Sequence, residues 1–553
     1  MKLRTLFMSM VAGLALVGCS SEEDVLKGGT DPVEGETGYV AVNIVQPRSV
    51  GIRATTGEFE NGSEAENSAR EGLFFIFDGS GDVQTIDSKS AQRVALTGSG
   101  TTETPAVERI YSAVLLINGV TENLTNNAKQ IVCILNAPAN LEDGVNNLSD
   151  LKAKVEDYCT NNITDGTFVM SNSVYKDKAG TLIIGTPVTN GKVKTSASAA
   201  LADPVDIYVE RVVAKVRASE KEEGMTNDGI KLSVDGVETS YTINIDGMAL
   251  SNLTDKANLL KSLETYKETS WVWNDDNNFR SFWEEMPGMK EGKEQVTVSK
   301  RSWDEISKDT HYNSSATAGK TCFEQYILPN TFSSIDEVIN TSIMVAAHLT
   351  DADGNTADLV WIRGGYTTND GALNVIANAV SNRFAYYKKT GDNSYKTLEP
   401  TDFDWTGDTN KGYSCYAQLK ATFGTDSKVY TFNDNVPTEV VNGVTNVNNY
   451  LSADDNSLHA RKYTDGKCYY FVEIEHVAAK TGNNATAAIK GIVRNHIYDL
   501  TLNSIQGPGI PVFNPQDKVI PQNPEDENLF YLGARVNVLD WRIVSQGIDF
   551  GKQ

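Results

Sequence analysis

Alternating apolar residues begin with the stretch Tyr39-Val40-Ala41-Val42-Asn43-Ile44-Val45. In an extended chain Val40, Val42 and Ile44 lie on one face, which predicts a half-buried β-strand. The character of the sequence then changes, because residues 53–70 are polar, acidic and interrupted by Gly. A stretch of this kind predicts an exposed loop that proteases reach.

Strand patterns recur along the chain. Leu73-Phe74-Phe75-Ile76-Phe77 runs into Asp78-Gly79-Ser80-Gly81-Asp82, which predicts a strand ended by a hairpin turn. Further strands are predicted at 111–117, 130–135, 181–184, 207–218, 239–245, 342–349 and 359–363, and a short helix at 151–158. No internal repeat is evident, so the pattern predicts a mainly β protein of two unequal β-sandwiches with long loops and a few short helices.

The length and net charge of the chain exclude some classes of function. The chain has 553 residues, and its 40% hydrophobic and 22% charged residues are ordinary for a globular protein of two or more domains. Its 49 basic and 73 acidic residues give a formal charge of −24. That charge repels phosphate backbones, so we expect no nucleic-acid partner.

The first residues predict export. Lys2 and Arg4 precede an apolar run at 6–17, and the run ends in Leu16-Val17-Gly18-Cys19, the pattern of a signal peptide closing on a lipobox. Cys19 is the candidate for lipid attachment; an ordinary signal with an incidental Cys is the alternative. The acidic residues 20–24 resemble an export tag of surface lipoproteins, or else form a solvated tether. No later run of apolar residues is long enough to span a membrane.

No catalytic or metal-binding pattern stands out. The five cysteines after Cys19 form no CxxC, and most are expected to be buried, with one disulfide possible. Asp351-Ala352-Asp353-Gly354-Asn355 lacks the spacing of a calcium loop and predicts a hairpin turn between 342–349 and 359–363. An acidic and aromatic strip is a less favoured candidate for sugar binding; it comprises Glu284-Glu285 beside Trp283, and Asp275-Asp276 after Trp271 and Trp273. We therefore predict no catalytic residue, metal or cofactor, and no enzyme.

The C-terminal region differs in amino-acid composition from the rest of the chain. Five of the 15 prolines lie between Pro508 and Pro524, and since Pro has no N–H donor this stretch predicts an extended, unpaired arm. An amphipathic strand follows; it cannot satisfy its backbone alone and must pair with a sheet, either of its own domain or of another molecule. Its apolar residues are Phe530, Leu532, Ala534, Val536 and Val538, and after a change of phase Trp541 and Ile543.

Four segments together resemble the Bacteroidales major fimbrial subunits, the type V pilins, and are most similar to the shaft subunit of the short fimbriae. The first is the lipobox followed by Arg53-Ala54, which resembles the bond that an arginine-specific protease cuts in those pilins; Arg48-Ser49 is the rival bond. The others are VERVVAKV at 209–216, YILPNT at 326–331 with VRNHIY at 493–498, and the tail VNVLDW at 536–541 with Ile548-Asp549-Phe550.

The resemblance implies an assembly mechanism on two transthyretin-like or Greek-key β-sandwiches. Removal of the first strand, with Val40, Val42 and Ile44, opens a groove that an extended strand of a neighbouring subunit fills. The cut would fall at Arg53-Ala54. The donor residues would be Phe530, Leu532, Ala534, Val536, Val538, Trp541 and Ile543.

The resemblance also implies an organisation and a function. We expect a signal peptide at 1–19, a propeptide at 20–53, sandwich domains at 54–218 and 219–506, and an arm with the donor strand at 507–553. The expected protein is a fimbrial shaft subunit that supports adhesion and biofilm formation at the outer membrane and cell surface. Its partners would be itself, accessory fimbrial subunits, an arginine-specific protease and, through lipid, the outer membrane. A tip or accessory adhesin, or a surface glycan-binding lipoprotein, is the alternative.

Overall fold

The computed structural model describes a mainly β protein, which confirms the predicted fold class. The described residues are 36–47, 62–99, 107–120, 128–156, 168–176, 181–220, 230–263, 284, 286, 301–331, 340–408, 414–425, 428–453, 457–477, 489–505, 507–519, 532–533, 536–537 and 542–550.

The first twelve described strands build a nine-stranded sheet and some short pairings. Along the main path of this sheet the order is β3-β2-β6-β8-β12-β1-β5-β4, with β11 beside β6. The strands are β1 Glu36–Pro47, β2 Glu71–Phe77, β3 Gln92–Ala95, β4 Thr97–Ser99, β5 Val107–Val120, β6 Gln130–Leu135, β7 Val155–Glu156, β8 Met170–Asn172, β9 Tyr175–Lys176, β10 Leu182–Ile183, β11 Thr186–Pro187 and β12 Val205–Arg211.

Strand β12 joins the two halves of this sheet. Its residues 205–208 pair with β1, whereas residues 209–211 pair with β8. Inward residues of both halves, such as Ile44, Phe74 and Leu115, belong to one core. The N-terminal sheet therefore encloses its core in the manner of a sandwich.

The remaining strands build a second set of sheets. A six-stranded sheet has the path β18-β13-β32-β37-β35 with β36 beside β37, and an eight-stranded sheet runs β28-β20-β21-β14-β15-β19-β29-β33. The strands are β13 Ala214–Glu220, β14 Ile230–Val234, β15 Val237–Ser251, β16 Ala257–Asn258, β17 Arg301–Ser302, β18 Thr321–Ile327, β19 Ser342–Thr350, β20 Leu359–Ile362, β21 Gly365–Thr368, β22 Tyr387–Gly391, β23 Ser394–Thr397, β24 Phe403–Gly407, β25 Cys415–Leu419, β26 Val429–Asn433, β27 Val436–Glu439, β28 Arg461–Tyr463, β29 Lys467–Glu473, β30 Glu475–Val477, β31 Ile489–Lys490, β32 His496–Ile505, β33 Ile510–Pro511, β34 Lys518–Val519, β35 Leu532–Gly533, β36 Val536–Asn537 and β37 Arg542–Phe550.

Helices are short with one exception. The second core lies between the six- and eight-stranded sheets, and a third core surrounds the long helix α4. The helices are α1 Leu148–Lys152, α2 Ala197–Leu201, α3 Trp303–Ile306, α4 Asn369–Phe384, α5 Thr422–Thr425 and α6 Gly443–Leu451, with 3₁₀ turns at Asn190–Lys192, Pro400–Asp402 and Thr464–Gly466.

Several local predictions are wrong. The strand predicted at 207–218 is two strands, β12 and β13, which belong to different sheets. The helix predicted at 151–158 ends at Lys152, because residues 155–156 pair instead with 257–258. The turn at Asp351 forms and is closed by an antiparallel bridge between Thr350 and Thr356, but β19 and β20 are not neighbours in their sheet, so the hairpin does not extend into these two strands.

The proline-rich stretch is paired, in contrast to the prediction. Ile510 and Pro511 pair with Tyr469 and Cys468 of β29, and residues 518–519 pair with β17. Proline is tolerated here because β33 is the last strand of its sheet, where a missing N–H donor costs no ladder bond. Any extended tether of the tail therefore starts only after Val519. The domain boundaries at 53, 218 and 506 stay predictions.

A cluster of buried charges joins the N-terminal sheet to the sheets that follow it. Arg494 donates from Nε and Nη2 to Glu284 at 2.8 and 2.5 Å, and Lys261 lies 3.0 Å from Glu210. All four side chains are at most 1% exposed. Arg494 also donates to the carbonyl of Leu259 at 3.1 Å. Glu284 is thus a structural ion-pair partner and is not available to bind a sugar. The other residues proposed for sugar binding lie outside the described residues: Trp271, Trp273, Asp275, Asp276, Trp283 and Glu285.

We predict that Arg494→Met destabilises the protein by about 3–5 kcal/mol, because it leaves the Glu284 carboxylate buried and uncompensated. Urea denaturation of the chain without residues 1–19 measures this. Adding Glu284→Leu should recover part of the loss. Lys231→Met, in an exposed pair with Glu238, should cost less than about 1 kcal/mol. Equal effects of Arg494→Met and Lys231→Met would contradict the prediction.

Candidate functional site

The candidate site is the place that β1 occupies in the N-terminal sheet. β1 runs antiparallel to β5, from Glu36↔Val120 to Pro47↔Val107, and parallel to β12, from Val42↔Val205 to Val45↔Tyr208. Both edges of β1 are therefore paired. The first strand of the described chain is an interior strand of its sheet, which the sequence pattern alone did not reveal.

The inward face of β1 is apolar and fully buried. Val40, Val42 and Ile44 are each 0% exposed and belong to the core of the N-terminal sheet. The structure therefore brings together the three residues predicted for the displaced strand. At about 1.5–3 kcal/mol for each such side chain, this burial holds the strand firmly before its backbone ladder is counted. Such a strand does not leave spontaneously.

The outward face of β1 is tied to its neighbours by polar contacts. Asn43 donates to Asp206 at 3.2 Å and accepts a hydrogen bond from Ser112 at 3.1 Å, so it spans both flanking strands. Tyr39 exchanges two backbone hydrogen bonds of 2.8 Å with Lys194. Helix α2 packs against this part of the strand, and Ala41 is 1% exposed.

Removal of β1 would leave a slot one strand wide. Neighbouring strands lie about 4.8 Å apart, so β5 and β12 would face each other across about 10 Å with unpaired backbone groups. Buried unpaired N–H and C=O groups are costly, and so is the exposure of the apolar core beneath them. The slot therefore has the shape and chemistry to accept another amphipathic strand.

The chain is anchored again shortly after β1. Glu66 is 3% exposed, lies 2.7 Å from Lys215 Nζ, and accepts a hydrogen bond of 2.6 Å from the Tyr326 hydroxyl. Arg211 donates to the Glu66 carbonyl at 3.1 Å and also to the side chain of Asn67. Residues 62–70 are thereby fixed to strands β12, β13 and β18.

Sequence reasoning missed this anchor. Glu66 lies in a polar stretch that looks like any solvated loop, and only Lys215, a cation inside an apolar strand, hints at a buried partner. Burial by itself raises the pKa of the Glu66 carboxyl, but the charge of Lys215 and hydrogen bonds from Lys215, Tyr326 and Ser63 outweigh it. The pKa falls to about 2.

The other predicted site residues are only partly described. Cys19, Arg53 and Ala54 lie outside the described residues, as do Phe530, Ala534, Val538 and Trp541. Among the described donor candidates, Leu532 lies in β35, Val536 in β36 and Ile543 in β37. The donor and processing roles stay predictions.

The C-terminal strand pairs within its own chain. β37 runs parallel to β32, from His496↔Arg542 to Ile505↔Phe550, and β35 and β36 flank it on the other side. Of the two pairings open to an amphipathic tail, this structure holds the intramolecular one. The described strands of the tail are paired in the single chain, and transfer to another subunit would have to replace that pairing.

The described residues contain no metal-type cluster and no disulfide. No group of three or more His, Cys, Asp or Glu among them is placed to hold a metal ion. Cys133, Cys322, Cys415 and Cys468 are buried thiols, as expected, and burial raises the pKa of Cys415 and Cys468 to about 12. Within the described chain, no helix combines the length and apolarity needed to span a membrane.

Comparison with known proteins gives one family match. Residues 461–547 match the family model of the major fimbrial subunit protein type IV, fimbrillin, C-terminal. The matched region runs from β28 through β37 and so includes β32 and most of the C-terminal strand. A search of curated proteins found no match.

Solved structures show distant likenesses. A protein of Parabacteroides distasonis ATCC 8503 described as a cell adhesion protein is 9% identical, with 92% of this chain and 98% of that chain covered and a TM-score of 0.37. A fimbrilin of Porphyromonas gingivalis W83 is 12% identical, with 92% and 97% covered and a TM-score of 0.34. The tip fimbrial protein Mfa3 of Porphyromonas gingivalis is 14% identical, with 58% and 79% covered and a TM-score of 0.28.

We predict that Glu66→Gln lowers stability by about 3 kcal/mol at pH 7, since the folded pKa of Glu66 lies about 2.5 units below its ordinary value of 4.5. A depressed pKa stabilises the protein above pH 4.5, and this contribution is lost as pH falls toward 2. The difference between wild type and variant should therefore shrink over that range.

Denaturation midpoints measured at several pH values check this prediction. Glu71→Gln is the matched control, because the Glu71 side chain is 46% exposed and pairs with Arg93 at the surface. A wild-type minus Glu66→Gln difference that stays constant from pH 7 to pH 2 would contradict the assigned ion pair.

Proposed function

We propose that the chain is the shaft subunit of a cell-surface fimbria, exported as a lipoprotein and polymerised by protease-triggered donor-strand exchange. The match of residues 461–547 to the fimbrillin C-terminal family model supports membership of the Bacteroidales major fimbrial subunit family and a structural role in fimbriae. The shaft role, lipid attachment at Cys19 and strand exchange are the proposed part. The observation that carries the proposal is the interior position of β1 in the N-terminal sheet.

The positions of β1 and of the Glu66 anchor are compatible with proteolytic removal of β1. β1 ends at Pro47 and the anchored chain resumes at Gly62, so the bond Arg53-Ala54 lies between the part to be removed and the part to be kept. A cut there severs β1 from the chain while Glu66 stays fixed to Lys215. Loss of residues 1–53 changes the formal charge only from −24 to −23. The cut therefore acts through chain connectivity.

The tail is the proposed donor. Residues 520–531 separate the last arm pairing at Val519 from β35, and twelve extended residues span at most about 40 Å. A tail that inserts between β5 and β12 of a neighbouring subunit would regain a full backbone ladder and bury its apolar residues in the core that Val40, Val42 and Ile44 leave. Such a head-to-tail contact does not close, so it generates a filament.

We expect limited trypsin treatment of the precursor without residues 1–19 to give a new N-terminus at Ala54 and then ladders or filaments. N-terminal sequencing with light scattering measures both. Arg53→Ala should block both events, whereas Arg48→Ala, at the rival bond, should change neither. Cutting at Ala54 with a persistent monomer would favour the tip or accessory adhesin over the shaft subunit.

We expect Val536→Asp to reduce polymer yield at least about tenfold after cutting, because it places a charge on the apolar face of the donor strand. Asn537→Asp is the matched control, since its side chain alternates to the opposite face of the sequence pattern. Sedimentation of the cut protein quantifies polymer. Filaments of Val536→Asp at wild-type yield would overturn the donor assignment.

A further inference from the structure

A basic cleft lies on the third core, away from β1 and the tail. It has a volume of about 640 Å³ and is bounded by helix α4, the turn between β20 and β21, and helix α6. Its polar lining consists of two arginines, two asparagines and a tyrosine: Arg363, Arg383, Asn378, Asn382 and Tyr450. The cleft is open to solvent, and both arginines and both asparagines are exposed.

Arg383 is held in the cleft by aromatic rings. Its guanidinium lies 5.0 Å from the ring centre of Tyr450 and 5.8 Å from that of Phe384, and these two rings pack edge to face at 5.5 Å. Stacking on ring faces fixes the plane of a guanidinium and leaves the N–H donors at its rim available. No carboxylate of the described residues pairs with Arg383, so these donors point to an anion from outside.

Arg363 occupies a position that ordinarily favours another residue. It has φ of 51°, and Gly364 after it has φ of 82°, so the two residues form the tight turn between Ile362 and Gly365. Two successive positive φ values favour Asn-Gly, because a bulkier side chain is strained there. An arginine at this position is therefore not explained by the turn, but it does supply a second guanidinium to the cleft.

The charge of the cleft is unbalanced. Its lining includes no acidic side chain, although the whole chain carries a formal charge of −24. A second cleft of about 510 Å³ beside helix α3 is different, because Lys308 lies 3.5 Å from Asp304 and His311 lies 2.8 Å from Asp309. Acidic side chains therefore line that cleft beside Lys308, whereas Arg363 and Arg383 have no described carboxylate partner.

We propose that the cleft binds an anionic saccharide. The carboxylate or sulfate of the sugar accepts hydrogen bonds from Arg363 and Arg383, for which planar guanidinium groups are well suited. Asn378 and Asn382 lie one turn apart on the same face of α4, and each amide offers both donor and acceptor, the combination that sugar hydroxyl groups require. Neither Asn makes a side-chain hydrogen bond to another described residue.

Isothermal titration of the intact chain tests the proposal with three probes. The probes are a galacturonate tetramer, a sulfated galactan tetramer and the neutral galactan tetramer. We expect at least one charged probe to bind and the neutral one to bind at least about tenfold more weakly; the stronger charged probe identifies carboxylate or sulfate as the source of the anion. Absence of binding by both charged probes, or equal binding of the neutral one, would overturn the proposal. Equal binding of an Asp-rich hexapeptide would overturn the saccharide assignment.

Arg363→Asn separates binding from stability. Asn suits a positive φ, so the thermal midpoint should stay unchanged or rise, while saccharide affinity should fall by about tenfold to a hundredfold through loss of a charged hydrogen bond. Arg383→Gln should weaken binding as well. Lys389→Asn, an exposed lysine outside the cleft, is the matched control and should leave affinity unchanged. Wild-type affinity in Arg363→Asn would exclude this site.

Discussion

The N-terminal sheet depends on β1 filling the space between β5 and β12. β1 pairs with the facing edges of β5 and β12, and its apolar side chains complete the core beneath them. No other described strand of that sheet makes these contacts. Elsewhere the described chain is held by contacts that do not involve β1. The six- and eight-stranded sheets have a separate core, and residues 62–70 are fixed through Glu66. The pairings of β1 are thus confined to one sheet, so the exchange of this strand that we propose would leave the second core in place.

Three of the stretches that resemble the fimbrial subunits, 209–216, 326–331 and 493–498, meet at one junction. Arg211 donates to the side chain of Asn495 at 3.0 Å, and Asn330 exchanges backbone hydrogen bonds with Ile492. Glu210 and Arg494 belong to the buried charge cluster beside them. Segments far apart in the chain therefore share one structural task, which is to fix the N-terminal sheet against the sheets that follow.

Much of the fold followed from alternation of apolar residues. β1, β6 and β19 were predicted within a few residues, because period two is unambiguous when one face is buried. Pairing was not predictable: β12 and β13 read as one strand, since nothing in the sequence marks where a chain changes sheets. Helix α4 was missed, although Ala372, Leu373, Ile376, Ala377 and Val380 follow a helical period. At the site, the strand was found but the Glu66 anchor was not, because a buried ion pair between distant residues leaves no local pattern.

The direct passage from β12 to β13 has a mechanical consequence. Only Val212 and Val213 separate the two strands; both are buried, and their backbone groups bond to Val169 and Asn495 on either side. The two sheets are therefore joined without an intervening loop. In a filament assembled by strand exchange, tension would enter one subunit at the donated strand between β5 and β12 and leave through that subunit's own tail, which the next subunit holds. The force would be transmitted along β12 and β13, parallel to the strands. Hydrogen bonds between strands that are loaded in this direction would have to break together and not one at a time.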